Sequence, residues 1–305
     1  MTRIQANLVL LIAAAVWGGG FVAQSTAMDS IGPFWFIGLR FAVATVVILP
    51  FVWWEAKRAD TSVKPRSIRA FLLIGLALFG GAATQQVGLQ TTTVTNSSFL
   101  TGLYVVFVPM IAVTFLGRRP HWIVWPAAAM AVFGIYLLSG GALSSLTVGD
   151  FLTIVCAAFW AIQITLIGLA LEKSPRPLAL SAVQFSVCAI GGLAVGALTE
   201  TISFDAIQNA LSEILFTGIF SSGLAFALQV VGQRYTTAPQ AAIFLSSEAL
   251  FGALLGSLIL GETITSIGYV GCAIIFFAML IVELVPELSR RRTLTAQALD
   301  SAATG

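Results

Sequence analysis

Apolar residues run along this chain in blocks of about twenty, parted by short polar gaps. The blocks lie at 6–26, 31–54, 70–90, 95–116, 121–139, 151–171, 178–199, 211–232, 238–260 and 265–285. A helix crossing the hydrocarbon core of a bilayer needs about 20 apolar residues. The pattern therefore predicts ten transmembrane helices joined by short loops, an all-α integral membrane fold. Composition agrees, at 58% hydrophobic and 9% charged, where a soluble domain carries about 25% charged. Residues 6–28 exceed the roughly 7–15-residue core of a secretory leader, and another block follows at once. They read as a retained first helix.

Charge then orients the spans. When the gaps are numbered alternately from the N-terminus, every Lys and Arg except Arg40 falls in one set. That set holds Arg3, the Lys57–Arg69 cluster, Arg118 with Arg119, Lys173 with Arg176, Arg234 and Arg290–Arg292. The other set, or its edge, holds Asp29, Asp150, Glu200, Asp205, Glu213 and Glu262. Short cytoplasmic loops collect Lys and Arg, so both termini are expected in the cytoplasm. A miscounted span would scramble the alternation downstream of the error. The net charge of +2 thus serves orientation, and no nucleic-acid partner is expected.

The chain also repeats itself at an offset of about 144 residues. Gln85 and Gly88 match Gln229 and Gly232; Thr92-Thr93 matches Thr236-Thr237; Leu116-Gly117 matches Leu260-Gly261. Arg40-Phe41 falls on Gln184-Phe185, and at an offset of 143 Ala14–Trp17 falls on Ala157–Trp160. Residues 1–144 and 145–288 then form two five-span repeats, followed by a polar tail, 289–305. An odd number of spans per repeat inverts the second copy, and inverted repeats enclosing a midplane site are the architecture of secondary transporters.

Polar residues inside the spans mark candidate chemistry. Arg40 and Glu248 lie near mid-bilayer, where a lone charge costs about 2.5–3.5 kcal/mol on insertion scales. Either they share one network, or Arg40 caps neighbouring carbonyls while Glu248 stays protonated. Glu248 is the intramembrane acid able to carry a proton. Five tryptophans (Trp35, Trp53, Trp54, Trp122, Trp125) sit at span ends, as an interfacial belt does. Trp17 and Trp160 lie too deep for a belt and either pack the core or wall a pocket. Gln85, Gln86, Gln163 and Gln229 place amides within spans, Gln85 and Gln229 at positions that inversion makes equivalent. They serve as gate residues or as hydrogen bonds between helices. Ser247 adjoins Glu248, and Tyr104 aligns with Glu248 across the repeat. Pro50, Pro109, Pro126 and Pro239 are candidate kinks or helix-end signals. Cys156, Cys188 and Cys272 lie in predicted spans with no metal-ligand spacing and read as small hydrophobes. There is no phosphate-binding Gly-Lys-Ser/Thr motif and no nucleophile–base set, so neither an enzyme nor a cofactor is expected.

These residues resemble the drug/metabolite transporter superfamily, and within it the ten-helix exporters with two EamA-type repeats. The resemblance rests on Ala15-Val16-Trp17-Gly18, Leu39-Arg40-Phe41, Phe99-Leu100 with Pro109, and Gly149-Asp150 leading to Ala158–Ala161. Ser247–Phe251, Leu260-Gly261-Glu262 and Gly268-x-x-Gly271 complete it, over residues 5–286. It departs where the family often has Glu-Pro and this chain has Glu248-Ala249, which removes the proline as a source of a kink there. The acid that the small four-helix members carry in their first helix is missing too. The resemblance implies a carrier of the bacterial inner membrane that exports amino acids or related metabolites by alternating access. Its cavity would lie between spans one, three, four, six, eight and nine. The polar and aromatic positions singled out above give the candidate substrate-binding residues Trp17, Gln85, Tyr104, Trp160, Gln163, Gln229, Ser247 and Glu248, with Arg40 and Glu248 as a charge network. Aromatic or other hydrophobic amino acids suit a tryptophan-walled pocket, and a proton is a candidate coupling ion. A nucleotide-sugar or phosphometabolite carrier is the alternative, although phosphates call for several cations and the cavity has Arg40.

Overall fold

The computed structural model describes residues 1–59, 62–92, 94–138, 147–260 and 264–303, without the side chains of residues 95, 96, 256, 260, 283, 287 and 289–303. Thr93, Gly261 and Glu262 therefore lie outside the described residues. All regular elements among the described residues are helical: α1 (Arg3–Ala27), α2 (Pro33–Arg58), α3 (Pro65–Gly88), α4 (Val94–Thr101), α5 (Tyr104–Thr114), α6 (Val124–Leu138), α7 (Val148–Lys173) and α8 (Pro177–Thr199). Then come α9 (Phe204–Asn209), α10 (Leu211–Phe216), a π-helix (Thr217–Ala225), α11 (Phe226–Gln233), α12 (Ala238–Leu245), α13 (Glu248–Leu260) and α14 (Ser266–Ala303). In hydrocarbon each backbone group must be satisfied within the segment, which leaves helices as the economical solution for such blocks.

Nine helical stretches among the described residues are long and apolar enough to cross a membrane. Span four is α4 with α5, span eight runs from α10 through the π-helix to α11, and span nine is α12 with α13. The fifth expected span appears as α6, whose apolar stretch Val124–Leu137 is shorter than the rest. Its predicted end, residue 139, lies outside the described residues.

Packing follows the inverted repeat. Helix α2 packs on its repeat mate α8, and α6 on its mate α14. Helix α3 packs on α7, while α3's mate, the α10–α11 span, packs on α1. Likewise α1 packs on α12 and α13, while α7 packs on α4 and α5. Each heterologous contact thus has its partner with the halves exchanged, the mark of a pseudo-two-fold axis. Helix starts repeat as well. Pro33 opens α2 and Pro177 opens α8, at first-turn positions where the missing N–H is not needed.

Two carboxylates tie α2 to α8 at opposite ends. Glu200, just past α8, accepts from the backbone N–H of Phe34 (3.0 Å) and Trp35 (3.1 Å) in the first turn of α2. Glu55, near the end of α2, accepts from the N–H of Leu178 (2.9 Å) and Ala179 (3.1 Å) in the first turn of α8, and from Arg176 Nε (3.1 Å). These amides are the donors a helix start leaves without intrahelical partners. Each helix is capped by the other, which fixes their antiparallel register at both ends.

Two sequence expectations find different outcomes here. Trp53, Trp54, Trp122 and Trp125 are exposed, as belt residues are. Trp35 instead packs against α8, its indole N–H donating to the Glu200 carbonyl at 3.4 Å, because the α2–α8 joint occupies its side of the helix. Pro50 and Pro109 sit inside α2 and α5, whereas spans four and nine are interrupted at Gly102-Leu103 and Ser246-Ser247, pairs 144 positions apart. In span nine hydroxyls take over freed carbonyls: Ser246 Oγ donates to Ile243 O (2.9 Å) and Ser247 Oγ to Phe244 O (2.7 Å). No proline is needed for this break.

Candidate functional site

The two interruptions meet at a central cavity between the repeats. About 470 Å³ of space free of atoms is lined by Trp17, Phe21, Gln24, Arg40, Gln85, Tyr104, Trp160, Ile164, Ser221, Phe226, Gln229 and Glu248. Six of the eight residues expected to bind substrate line it, together with Arg40. Tyr104 and Glu248 each begin the helix after a break, so the same local geometry presents a hydroxyl from one repeat and a carboxyl from the other.

An aromatic wall occupies one side. The Phe226 ring lies between the two repeat-mate indoles, 4.6 Å from Trp17 and 5.4 Å from Trp160 by ring centroids. Phe41 and Phe185, mates at the 144-residue offset, stand 6.1 and 6.4 Å from it. Rings at these separations stabilise one another by about 0.5–1.5 kcal/mol per pair beyond their burial. Close helix crossing keeps the wall in place: a Cβ on Gly18 would stand 2.6 Å from the Phe251 Cβ, so α1 and α13 meet only because glycine is there.

The indoles differ in their hydrogen bonds. Trp17 Nε1 donates to Ser221 O at 3.0 Å. Ser221 belongs to the π-helix, where the wide turn presents a carbonyl to the side. The equivalent stretch of the first repeat, in α3, is ordinary α-helix without the widened turn. Trp160 Nε1 accordingly has no acceptor and is buried at the cavity wall. Trp17→Phe keeps the stacking and loses one hydrogen bond worth about 0.5–1.5 kcal/mol. We expect transport to fall by about two- to tenfold with the protein still folded, read by substrate exchange and thermal unfolding of the variant.

Arg40 does not pair with Glu248. Its Nη1 donates to Gln24 Oε1 at 2.6 Å, and its guanidinium stands 5.3 Å from the Phe36 ring and 5.1 Å from the Phe41 ring. Gln86 Nε2 donates to the Gln24 carbonyl at 3.1 Å, tying α3 to the same corner. The common network considered for the two charges is thus a common cavity. Around it Arg40 Nε, Tyr104 Oη, Trp160 Nε1 and Glu248 Oε1 are buried without a hydrogen bond of good geometry, the Tyr104 hydroxyl and the Glu248 carboxyl being each other's neighbours. Buried polar groups are ordinarily paired, and leaving one unmade costs about 1–3 kcal/mol. Four on one cavity mark a place built for water or a ligand.

The remaining predicted residues sit in the surround. Gln85 Nε2 donates to Thr101 Oγ1 at 3.1 Å. Gln163 stands behind Gln229, their amides exchanging hydrogen bonds at 3.0 and 3.4 Å, and it also donates to Gln184 Oε1 at 3.2 Å. Ser247 turns its hydroxyl to α12 and does not line the cavity. The sequence reading missed Phe21, Gln24, Ile164, Ser221 and Phe226. Only Gln24, an amide within an apolar block, carried a signal.

Beyond Gln229 the bundle opens to its basic end. A vestibule of about 1670 Å³ is lined by Arg118, Arg119, His121, Arg234 and Gln240 among others. Gln233, one turn after Gln229, faces it and donates to Ile164 O at 2.9 Å. One helical turn, about 5.4 Å, therefore separates Gln229 at the central cavity from Gln233 at the vestibule. Arg3 and Pro286 both line this vestibule, so the two ends of the helical bundle emerge on one face.

A multi-pass bundle with a central cavity between two inverted repeats, and a vestibule at its basic end, is the form of a membrane transporter. The EamA-like transporter family model matches this chain twice, over residues 4–140 and 147–284, and the chain belongs to that family. An uncharacterized transporter of Archaeoglobus fulgidus is 32% identical over 293 residues, covering 92% of this chain and 87% of the relative. The uncharacterized inner membrane transporter YedA of Escherichia coli is 24% identical over 301 residues, with 94% and 93% covered. A solved crystal structure shares the fold with a TM-score of 0.77 over 92% of this chain and 99% of its own, at 16% identity.

Proposed function

We propose that the protein exports amino acids, foremost aromatic and other hydrophobic ones, across the bacterial inner membrane by alternating access. The observation that carries this reading is the set of buried polar atoms without good hydrogen bonds beside a wall of rings in one cavity. A free amino acid presents a matching set of groups. Its ammonium suits Glu248, its carboxylate suits Arg40 and the Trp160 N–H, and its side chain suits the faces of Trp17, Trp160 and Phe226. Gln85 and Gln229 then act as gate residues towards the two faces, with Gln163 holding Gln229. Tyr104 and Ser247 support Glu248 at the helix break. A proton exchanged on Glu248 supplies the driving force, and the basic end with both termini faces the cytoplasm. A phosphorylated substrate is disfavoured because the cavity offers one guanidinium, already bonded to Gln24.

Counterflow into proteoliposomes tests it. Liposomes loaded with phenylalanine, leucine or tryptophan should accumulate labelled counterpart with saturation, and liposomes loaded with a nucleoside monophosphate should not. Absence of flux with every amino acid, while the purified protein remains folded, would sink the substrate assignment and leave the transporter class intact.

A further inference from the structure

A second hollow at the basic end is unused by this reading. It spans about 1060 Å³, part of it open to the surroundings, between the end of α2, the start of α3, the α7–α8 turn and the end of α11. Five cationic residues converge on it: Arg58, Lys64, Lys173, Arg176 and Arg234. Glu55 is the acid among its described lining residues, and both its oxygens already hold Arg176 and the first amides of α8. With Asp60 of the adjoining loop counted from the sequence, the balance stays positive. Orienting a membrane protein requires basic loops, but it does not require four separate segments to turn their charges into one hollow.

The depth of the hollow identifies what it faces. Trp53 and Trp54 are exposed beside it, with Lys57 Nζ 3.5 Å from the Trp53 ring and the Arg58 guanidinium 4.1 Å from the Trp54 ring. Tryptophan and cation together mark the level of lipid headgroups. On the next turns of α3, Ile68 and Leu72 are exposed apolar side chains, a surface for acyl chains. Basic pockets between transmembrane helices at this level suit anionic headgroups.

We propose that this hollow binds the phosphodiester headgroup of an anionic phospholipid, with its acyl chains along the exposed face of α3. Arg58, Lys64, Lys173 and Arg234 supply the charge, and Trp54 sets the depth. Because Arg176 joins the hollow to Glu55, a bound lipid also steadies the α2–α8 joint.

The test offers purified protein in neutral detergent a mixture of phosphatidylglycerol, cardiolipin and phosphatidylethanolamine, and reads the retained lipid by native mass spectrometry. The anionic lipids should be kept in preference to phosphatidylethanolamine. Lys64→Gln combined with Lys173→Gln removes two exposed charges and should weaken that retention about thirtyfold, at roughly one kcal/mol per basic residue near an anionic surface. Arg118→Gln with Arg119→Gln, which strips the same charge from the other vestibule, should leave it unchanged. No preference for anionic lipid, no loss in the lysine variant, or equal loss in both variants would overturn the proposal. Displacement of the lipid by inorganic phosphate would also overturn it, since the hollow would then be a site for soluble anions.

Discussion

Glu248→Gln is expected to leave the protein folded and to lower substrate exchange by about ten- to a hundredfold, the effect of losing one charged contact of about 1.5–3 kcal/mol. The side chain opens α13 at the helix break and lines the central cavity, so the amide keeps its shape and packing while removing both the charge and the exchangeable proton. Under the proposed coupling, the residual exchange should also cease to respond to an imposed pH gradient. Proteoliposome counterflow at several pH values, with thermal unfolding as the control for folding, gives the answer. Transport of the variant equal to the parent across pH would remove Glu248 from both roles. A deficit that is constant with pH would keep it as a substrate contact and remove the proton.

Glu200→Ala and Glu55→Ala are expected to cause the largest losses of stability. Each strips two first-turn amides of their acceptor, at 3.0 and 3.1 Å for Glu200 and at 2.9 and 3.1 Å for Glu55. Glu55→Ala also leaves the buried Arg176 without its carboxylate. Loss of charged hydrogen bonds with partners left unsatisfied costs about 2–4 kcal/mol per site. The measurement is the thermal midpoint in detergent. Because the two caps lie at opposite ends of the joint and share no partner, the double variant should lose about the sum of the single losses. Midpoints within a degree of the parent for both single variants would show that water replaces the caps at no cost.

How much of this was legible in the sequence depends on what each residue contrasts with. Arg40, Gln85, Gln163, Gln229 and Glu248 stand out because a polar group in an apolar block is expensive unless something uses it. Trp17 and Trp160 stand out by depth and repetition. Phe226 closes the aromatic wall, yet a phenylalanine among apolar neighbours carries no contrast at all. Its role comes from the fold, which turns it between two indoles. Glu55 and Glu200 sit at span ends, where acids read as ordinary boundary charges; their pairing with the opposite helix is a three-dimensional fact. The breaks at Gly102-Leu103 and Ser246-Ser247 contain no proline, so no such helix-breaking signal marks them in the sequence. Arg40 was legible as a buried charge but its partner was not, since Gln24 and Glu248 are both within reach of a long side chain and packing decides between them. The ten-span count holds approximately: nine described stretches are long and apolar enough to cross, and α6 supplies a shorter tenth.

The widened turn at Thr217–Ala225 lies in one half alone, while its counterpart in α3 is regular. Were the halves interchangeable, tipping the machine one way or the other would give end states of identical energy and equal dwell times. With one half carrying a defect that the other lacks, the two end states of the proposed cycle are no longer degenerate in energy. That stretch of backbone biases which end state is occupied at rest, while the net direction of any transport is still set by the gradients acting on the substrate and the coupling ion.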